Sequence, residues 1–341
     1  MILPTKLTNR VRVKKGPTIL GRPIVTAGAV FLGTHEISGF ERDGLTKIWS
    51  KVHDTCGPFL IFDHILFIAN GFDKLMALDA ASGETLWFRR ASGGQTWRNQ
   101  LLVFEDEAVL IVDPSTGSEV DRMALPYHLA VSDIGNDTLL CRVRENEGTA
   151  AAYDLAERKL RWKRPLLEET LNLFHAPGNA MALRAGSKTF LLTKSGVGIF
   201  GCSMEDGRIL WHQRVFVSHD VPVTFNGRVY GLTTGLVPTL NDYARFICFD
   251  EITGEKIYET EHKEFLAYRP SRPTVYGDHV YFGSDGGFVF AFRLADGELE
   301  WCHRTTGQTW QPTVFQDRIY VTSDDGYLLV FEGKRSLSAK R

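Results

Sequence analysis

The sequence predicts an all-β array of repeated four-stranded units, and three observations lead there. A phrase made of an apolar pair, Asp, three residues, Gly, three residues and an aromatic recurs along the chain. Between its copies lie short apolar runs separated by polar turns, the pattern of strands and not of alternating helices. The chain has 341 residues, 39 basic against 41 acidic, and 43% apolar residues, a composition suited to a soluble globular protein.

The phrase is clearest at Ala77-Leu78-Asp79-Ala80-Ala81-Ser82-Gly83-Glu84-Thr85-Leu86-Trp87. Close copies run from Cys248 through Asp250 and Gly254 to Tyr258, and from Ala291 through Gly297 to Trp301. Partial copies join Asp113 and Gly117 to Asp121, Asp154 to Trp162 with Arg158 in the glycine place, and Gly207 to Trp211 with Ser203 in the aspartate place. Asp43-Gly44 leads to Trp49 one residue out of step. The terminal positions 49, 87, 121, 162, 211, 258 and 301 are spaced by 38, 34, 41, 49, 47 and 43 residues, the length of one supersecondary unit.

Each part of the phrase has a physical task. The apolar pair ends a strand, Asp bonds backbone N–H groups in the turn, and Gly supplies positive φ where the chain reverses. The final aromatic has too much surface to leave in water and is expected to dock between neighbouring units. Upstream, Pro273–Tyr276, His279–Gly283 and Phe288–Phe292 are strands parted by Gly277-Asp278 and Asp285-Gly286-Gly287, and Pro312–Phe331 and Pro222–Gly231 repeat the plan. One four-stranded unit cannot bury its own faces, so the units must form a closed ring or a capped stack.

The Ala-x-Asp-x-x-x-Gly-x-x-x-Trp phrase resembles the repeat of PQQ-type β-propellers, the superfamily of the quinoprotein dehydrogenases and the assembly factor BamB. The resemblance covers residues 20 to 332 and implies one β-propeller domain over residues 1–341. Seven phrases end at Trp301, and residues 308 to 332 supply three more strands. Leu7 to Val13, within a basic segment 1–16, is expected to add the fourth strand and close an eight-bladed ring without a free edge, leaving 333–341 as a basic tail. Seven blades are the alternative, since the unit holding Leu101 to Asp113 is short.

The resemblance implies that blade connections and the middle hairpin of each blade open on one face around a channel. In that register the candidate binding residues are Arg22, His53, Gln95, Trp97, His128, His175, His219, Asp220, Tyr268, Arg269, Arg272, Gln308, Trp310 and Gln311. The tetrapeptide Gly94-Gln95-Thr96-Trp97 recurs as Gly307-Gln308-Thr309-Trp310, at the same stage of two blades. Two readings stand: Gln and Thr satisfy a tight turn while Trp packs, or the two segments are matched arms of a binding mouth. The longer hairpin Gly235 to Tyr243 exposes Leu236 and Tyr243, either to a partner or onto its own blade.

Several classes are disfavoured. The near-zero net charge gives no field for nucleic acid, and no apolar run has the length of a membrane span. His53, His128, His175 and His219 show no His-x-x-x-His or HExxH spacing, so no metal site is assigned. Cys56, Cys141, Cys202, Cys248 and Cys302 are scattered singly, as expected of reduced thiols in a cytoplasmic protein. The resemblance also bears on catalysis, because quinoprotein alcohol dehydrogenases carry a vicinal disulfide under the cofactor and this chain has no adjacent cysteines. The expectation is therefore a non-enzymatic scaffold without a cofactor, binding a protein or extended peptide. A small-ligand sensor, or a quinone- or calcium-dependent oxidoreductase with its ligand at the channel mouth, is the alternative.

Overall fold

The structure, a computed structural model, describes residues 2–13, 21–33, 36–52, 59–69, 74–105, 107–125, 129–143, 146–166, 181–186, 188–194, 198–215, 222–233, 244–262 and 271–335. Among the described residues, thirty-two strands form eight four-stranded sheets, the fold class of the eight-bladed β-propeller. Blades 1 to 7 are residues 24–52, 59–90, 93–124, 129–164, 181–213, 223–262 and 274–304, and blade 8 joins residues 313–335 to residues 2–12. Among the described residues, no helix is long and apolar enough to cross a membrane.

The chain divides into two compact units. Residues 18–130 hold blades 1 to 3 and the first two residues of blade 4, and residues 1–17 with 131–341 hold the rest of blade 4 and blades 5 to 8. Five of the inter-blade contacts within the units follow one rule. Trp49 Nε1 donates to the Ala80 carbonyl at 3.0 Å and Trp87 Nε1 to the Pro114 carbonyl at 2.7 Å. Trp162 reaches Met204, Trp211 reaches Glu251, and the Tyr258 hydroxyl reaches Leu294, each ring hydrogen-bonding a carbonyl one blade onward.

The phrase glycine completes this contact. Gly83, Gly117, Gly207, Gly254 and Gly297 have φ between 69° and 76°, and a β-carbon on any of them would collide with the aromatic of the preceding blade. Glycine is thus required twice, by the backbone and by the ring lying on it. Arg158 holds the same place in blade 4, with φ 54°. The phrase aspartates fix the turn itself. Asp79 Oδ1 accepts the Ala81 and Ser82 N–H groups, and Asp250 Oδ1 those of Ile252 and Thr253.

The first copy of the phrase is corrected by the structure. Leu45 N bonds the Glu41 carbonyl at 2.9 Å as Gly83 N bonds that of Asp79 at 2.8 Å, so Glu41 and Leu45, not Asp43 and Gly44, hold the aspartate and glycine places. Leu45 takes φ 53° and is buried. Trp49 is then in step with the other aromatics.

Blade 3 keeps four strands because its hairpins are tight. Arg98 and Asn99, at φ 45° and 61°, form a two-residue turn of the I′ kind between Gly93–Trp97 and Gln100–Phe104. Closure of blade 8 is more extensive than Leu7 to Val13. The strand Ile2–Arg12 pairs antiparallel with Tyr327–Arg335, and Gly333, Lys334 and Arg335 belong to that strand instead of a tail. Arg10 lies 3.8 Å from the Tyr327 ring centroid and 3.8 Å from Asp325, so the basic start of the chain is partly tied down.

Candidate functional site

Seven of the candidate binding residues lie in the described part: Arg22, Gln95, Trp97, Arg272, Gln308, Trp310 and Gln311. His53, His128, His175, His219, Asp220, Leu236, Tyr243, Tyr268 and Arg269 lie outside the described residues, as does the whole 235–243 hairpin. Arg22 is exposed, while Gln95, Trp97, Arg272, Gln308, Trp310 and Gln311 are half-buried.

The two Gly-Gln-Thr-Trp copies do different work. Gly94 to Trp97 sits inside the first strand of blade 3, with Gln95 opposite Leu102 and Trp97 opposite Gln100. Gly307 to Trp310 is a connector preceding the first strand of blade 8, Thr313–Phe315. The reason is chain length: Trp87 to Gln100 spans 13 positions, whereas Trp301 to Arg318 spans 17. Blade 3 must spend its tetrapeptide on the strand. The copies therefore hold different places within their blades.

The connector between blades 7 and 8 is stitched on both sides. Thr305 N donates to Gly287 O at 2.7 Å, and Thr309 N to Ser284 O at 2.8 Å, in the middle hairpin of blade 7. Thr309 Oγ1 accepts the Ser284 N–H at 2.8 Å and donates to Phe288 O at 2.6 Å. Toward blade 8, Trp310 N donates to Thr322 O at 3.0 Å, and Asp324 N donates to Gln308 O at 2.9 Å. A β-carbon on Gly283 would strike the Thr309 and Trp310 carbonyls, so only glycine fits there.

Gln311 reaches back across the blade junction, its Nε2 3.3 Å from Pro273 O and 3.2 Å from Thr274 Oγ1. Thr274 Oγ1 in turn donates to Pro312 O at 2.6 Å. Thr309, and Gln311 just beyond the tetrapeptide, thus both bond backbone groups. Trp310 differs. Its Nε1 is buried and finds no acceptor among the described residues, while its ring is half-buried at the end of the blades that carries the connector. Such an indole combines apolar area with an N–H donor.

Two polar sites escape the sequence pattern. Glu251 follows the phrase aspartate where Ala80, Leu155, Met204 and Leu294 are apolar, and it is 1% exposed. Its Oε1 accepts the Lys188 and Thr189 N–H groups at 3.2 and 3.3 Å and the Thr189 hydroxyl at 3.1 Å, tying blade 6 to blade 5. The signal was visible as a glutamate in an apolar register. His279, fully buried, has Nδ1 2.8 Å from Asp278 Oδ1 and Nε2 in a short contact with Glu300 Oε2, and Arg293 Nη1 holds the other Glu300 oxygen at 2.7 Å. Nothing in its hairpin sequence set it apart.

No group of three or more His, Cys, Asp or Glu side chains placed to hold a metal ion occurs among the described residues. Burial pushes the Cys141 thiol up to about 12 and the Cys248 thiol up to about 11, so neither is a ready nucleophile.

A family model described as outer membrane protein assembly factor BamB matches residues 33–219 and 201–332. The chain belongs to the BamB family. BamB of Moraxella catarrhalis has a similar fold at 17% identity, with a TM-score of 0.66 over 96% of this chain and 99% of that one. The computationally designed Ika8 protein matches at 10% identity and TM-score 0.69, covering 94% and 98%. A europium-containing methanol dehydrogenase matches at 13% identity and TM-score 0.65, covering 93% and 84%. At these identities the likeness to BamB and to the other two concerns the fold alone. Among curated proteins, no match was found.

Proposed function

We propose that this BamB-family chain is a non-catalytic scaffold that binds a protein or an extended peptide at the ends of the blades carrying the connectors. The observation that carries the reading is the connector of residues 305–312. It is fixed by backbone hydrogen bonds to the middle hairpins of two blades, yet its Trp310 ring is only half-buried. A loop already ordered before binding loses little conformational entropy on association, and Trp and Arg are the residues on which interfaces most often depend. Arg272 stands at the corresponding connector before blade 7.

Membership of the BamB family supports a role in assembly over one in catalysis. The five singly scattered cysteines support the same choice, since none has a cysteine neighbour, and they suit a reducing, cytoplasmic setting. The test is capture of partners from native lysate by wild type, Trp310→Ala and Arg272→Ala, read by quantitative mass spectrometry, with an absorbance spectrum and metal analysis of the purified chain. A protein retained by wild type and lost from Trp310→Ala supports the scaffold. A stoichiometric chromophore or metal ion in the purified chain contradicts it.

A further inference from the structure

Within the unit of residues 18–130, a cavity of about 600 Å³ lies at the junction of blades 2 and 3. It is at the opposite ends of these blades from the connectors. The residues around it come from the first-hairpin turns of both blades, at Asp63 and Asn99, and from the Asp113–Gly117 turn of blade 3. In an antiparallel four-stranded sheet these turns share one end, and the middle hairpin and the connector share the other.

The lining combines two chemistries. Leu101 and Val112, opposite each other in blade 3 and both buried, form an apolar floor, and Val120, 66% exposed, forms an apolar rim. Among the described residues, the charged side chains in the lining, Asp63 and Asp113, are both carboxylates, and neither lysine nor arginine lines the cavity. Asp113 Oδ1 accepts hydrogen bonds from the Ser115 and Thr116 N–H groups and hydroxyls. Those bonds, led by that from the Ser115 hydroxyl, hold its carboxyl below the usual carboxylate range and keep it charged at neutral pH. Asn99 and Gln100 add exposed amides at the mouth.

A volume of about 300–1,000 Å³ is that of a small-ligand site. An apolar floor beneath two anions matches a cation carried on a methylene stem, which lays its stem on apolar surface and extends its head to polar partners. We propose that this cavity seats a lysine or arginine side chain of an extended peptide, with the stem against Val120 and the head toward Asp63 and Asp113. The proposal rests on reading the chain as a peptide-binding scaffold, but it adds a second surface and names the chemistry recognised there.

The experiment is a methyl-NMR titration of the full chain with blocked Gly-Lys-Gly, Gly-Arg-Gly and Gly-Glu-Gly peptides and with agmatine. Asp63→Asn removes one charge and suits this position, since Asp63 has φ 57° and asparagine tolerates that region. Val120→Arg plants a cation at the rim. The basic peptides are expected to shift the Leu101, Val112 and Val120 methyls saturably, and Gly-Glu-Gly is not. Asp63→Asn should weaken binding about tenfold, Val120→Arg should abolish it, and salt raised to about 0.5 M should weaken it further.

Absence of saturable shifts with the basic peptides, or equal affinity in Asp63→Asn, overturns the proposal. Agmatine binding as tightly as the peptides overturns the peptide assignment in favour of a free organic cation. The two surfaces are separable. If Trp310→Ala loses a captured partner while the peptides leave these methyls unmoved, the scaffold reading stands and the cavity proposal falls.

Discussion

Gly117 of blade 3 lies against the indole of Trp87 in blade 2: a β-carbon there would come within 2.6 Å of the ring. The same ring donates its N–H to Pro114 O at 2.7 Å, so one side chain seals the junction through a face and an edge. Turn, glycine and aromatic are parts of a single contact distributed over two blades.

This pairing predicts a measurable coupling. Gly117→Ala imposes φ 69° on a residue with a β-carbon and displaces the indole, so it should destabilise by about 1–3 kcal/mol in urea denaturation. Trp87→Leu should cost about 2–4 kcal/mol, since the ring is buried. In the double variant the collision has been removed, and Gly117→Ala should cost less than it does alone. Strict additivity would show that the ring and the glycine act independently.

Glu251 offers a second test, of blade-to-blade attachment. Glu251→Leu leaves the Lys188 and Thr189 N–H donors and the Thr189 hydroxyl without this acceptor, at about 1–3 kcal/mol for buried donors left unpaired. Glu251→Gln keeps an acceptor oxygen and should lose clearly less. Thermal melts of both variants read the difference, and equal loss would contradict the hydrogen-bond account.

The phrase aspartates make stability depend on acid. Asp79, Asp113 and Asp250 have carboxyls held below the usual range, chiefly by backbone bonds from Ser82 and Thr253 and by the Ser115 hydroxyl. A carboxyl lowered in the folded state contributes stability that is present above its unfolded value of about 3.9 and lost as pH falls through the folded value. Urea midpoints should therefore decline as pH drops below about 4. Asp250→Asn should flatten that decline. A midpoint unchanged between pH 4 and pH 2 in the wild type would contradict this.

Thr309 predicts the rigidity on which the proposed function depends. Thr309→Val removes the acceptor for the Ser284 N–H and the donor to Phe288 O. Amide exchange at Ser284 and Trp310 should then accelerate at least about tenfold, corresponding to about 1.4 kcal/mol of local opening. Unaltered exchange would mean that this side chain does not hold the connector.

The repeat was legible in the sequence because its signals are short-range. Asp79, Gly83 and Trp87 sit within one hairpin and each is chemically constrained. Register within a copy was less legible: Asp43-Gly44 imitates the phrase, while Glu41 and Leu45 carry it without the typical residues. The Gly-Gln-Thr-Trp duplication misleads for a different reason. A tetrapeptide does not encode whether enough chain remains to form the next strand, and blade 3 is four positions shorter than blade 8 at this stage. The cavity beside Asp63 and Val120 was invisible because it forms where two locally ordinary hairpins meet.

Closure of blade 8 is the claim on which the fold account most depends. Strand Ile2–Arg12 covers the edge of Tyr327–Arg335, with Leu7 opposite Phe331 and Arg10 stacked on Tyr327. The decisive measurement compares calorimetric melts of the intact chain and a chain lacking residues 1–12. The account predicts loss of the cooperative transition, or a melting point far below that of the intact protein, with restoration when a peptide of residues 1–12 is added back. Coincident melting curves would contradict it.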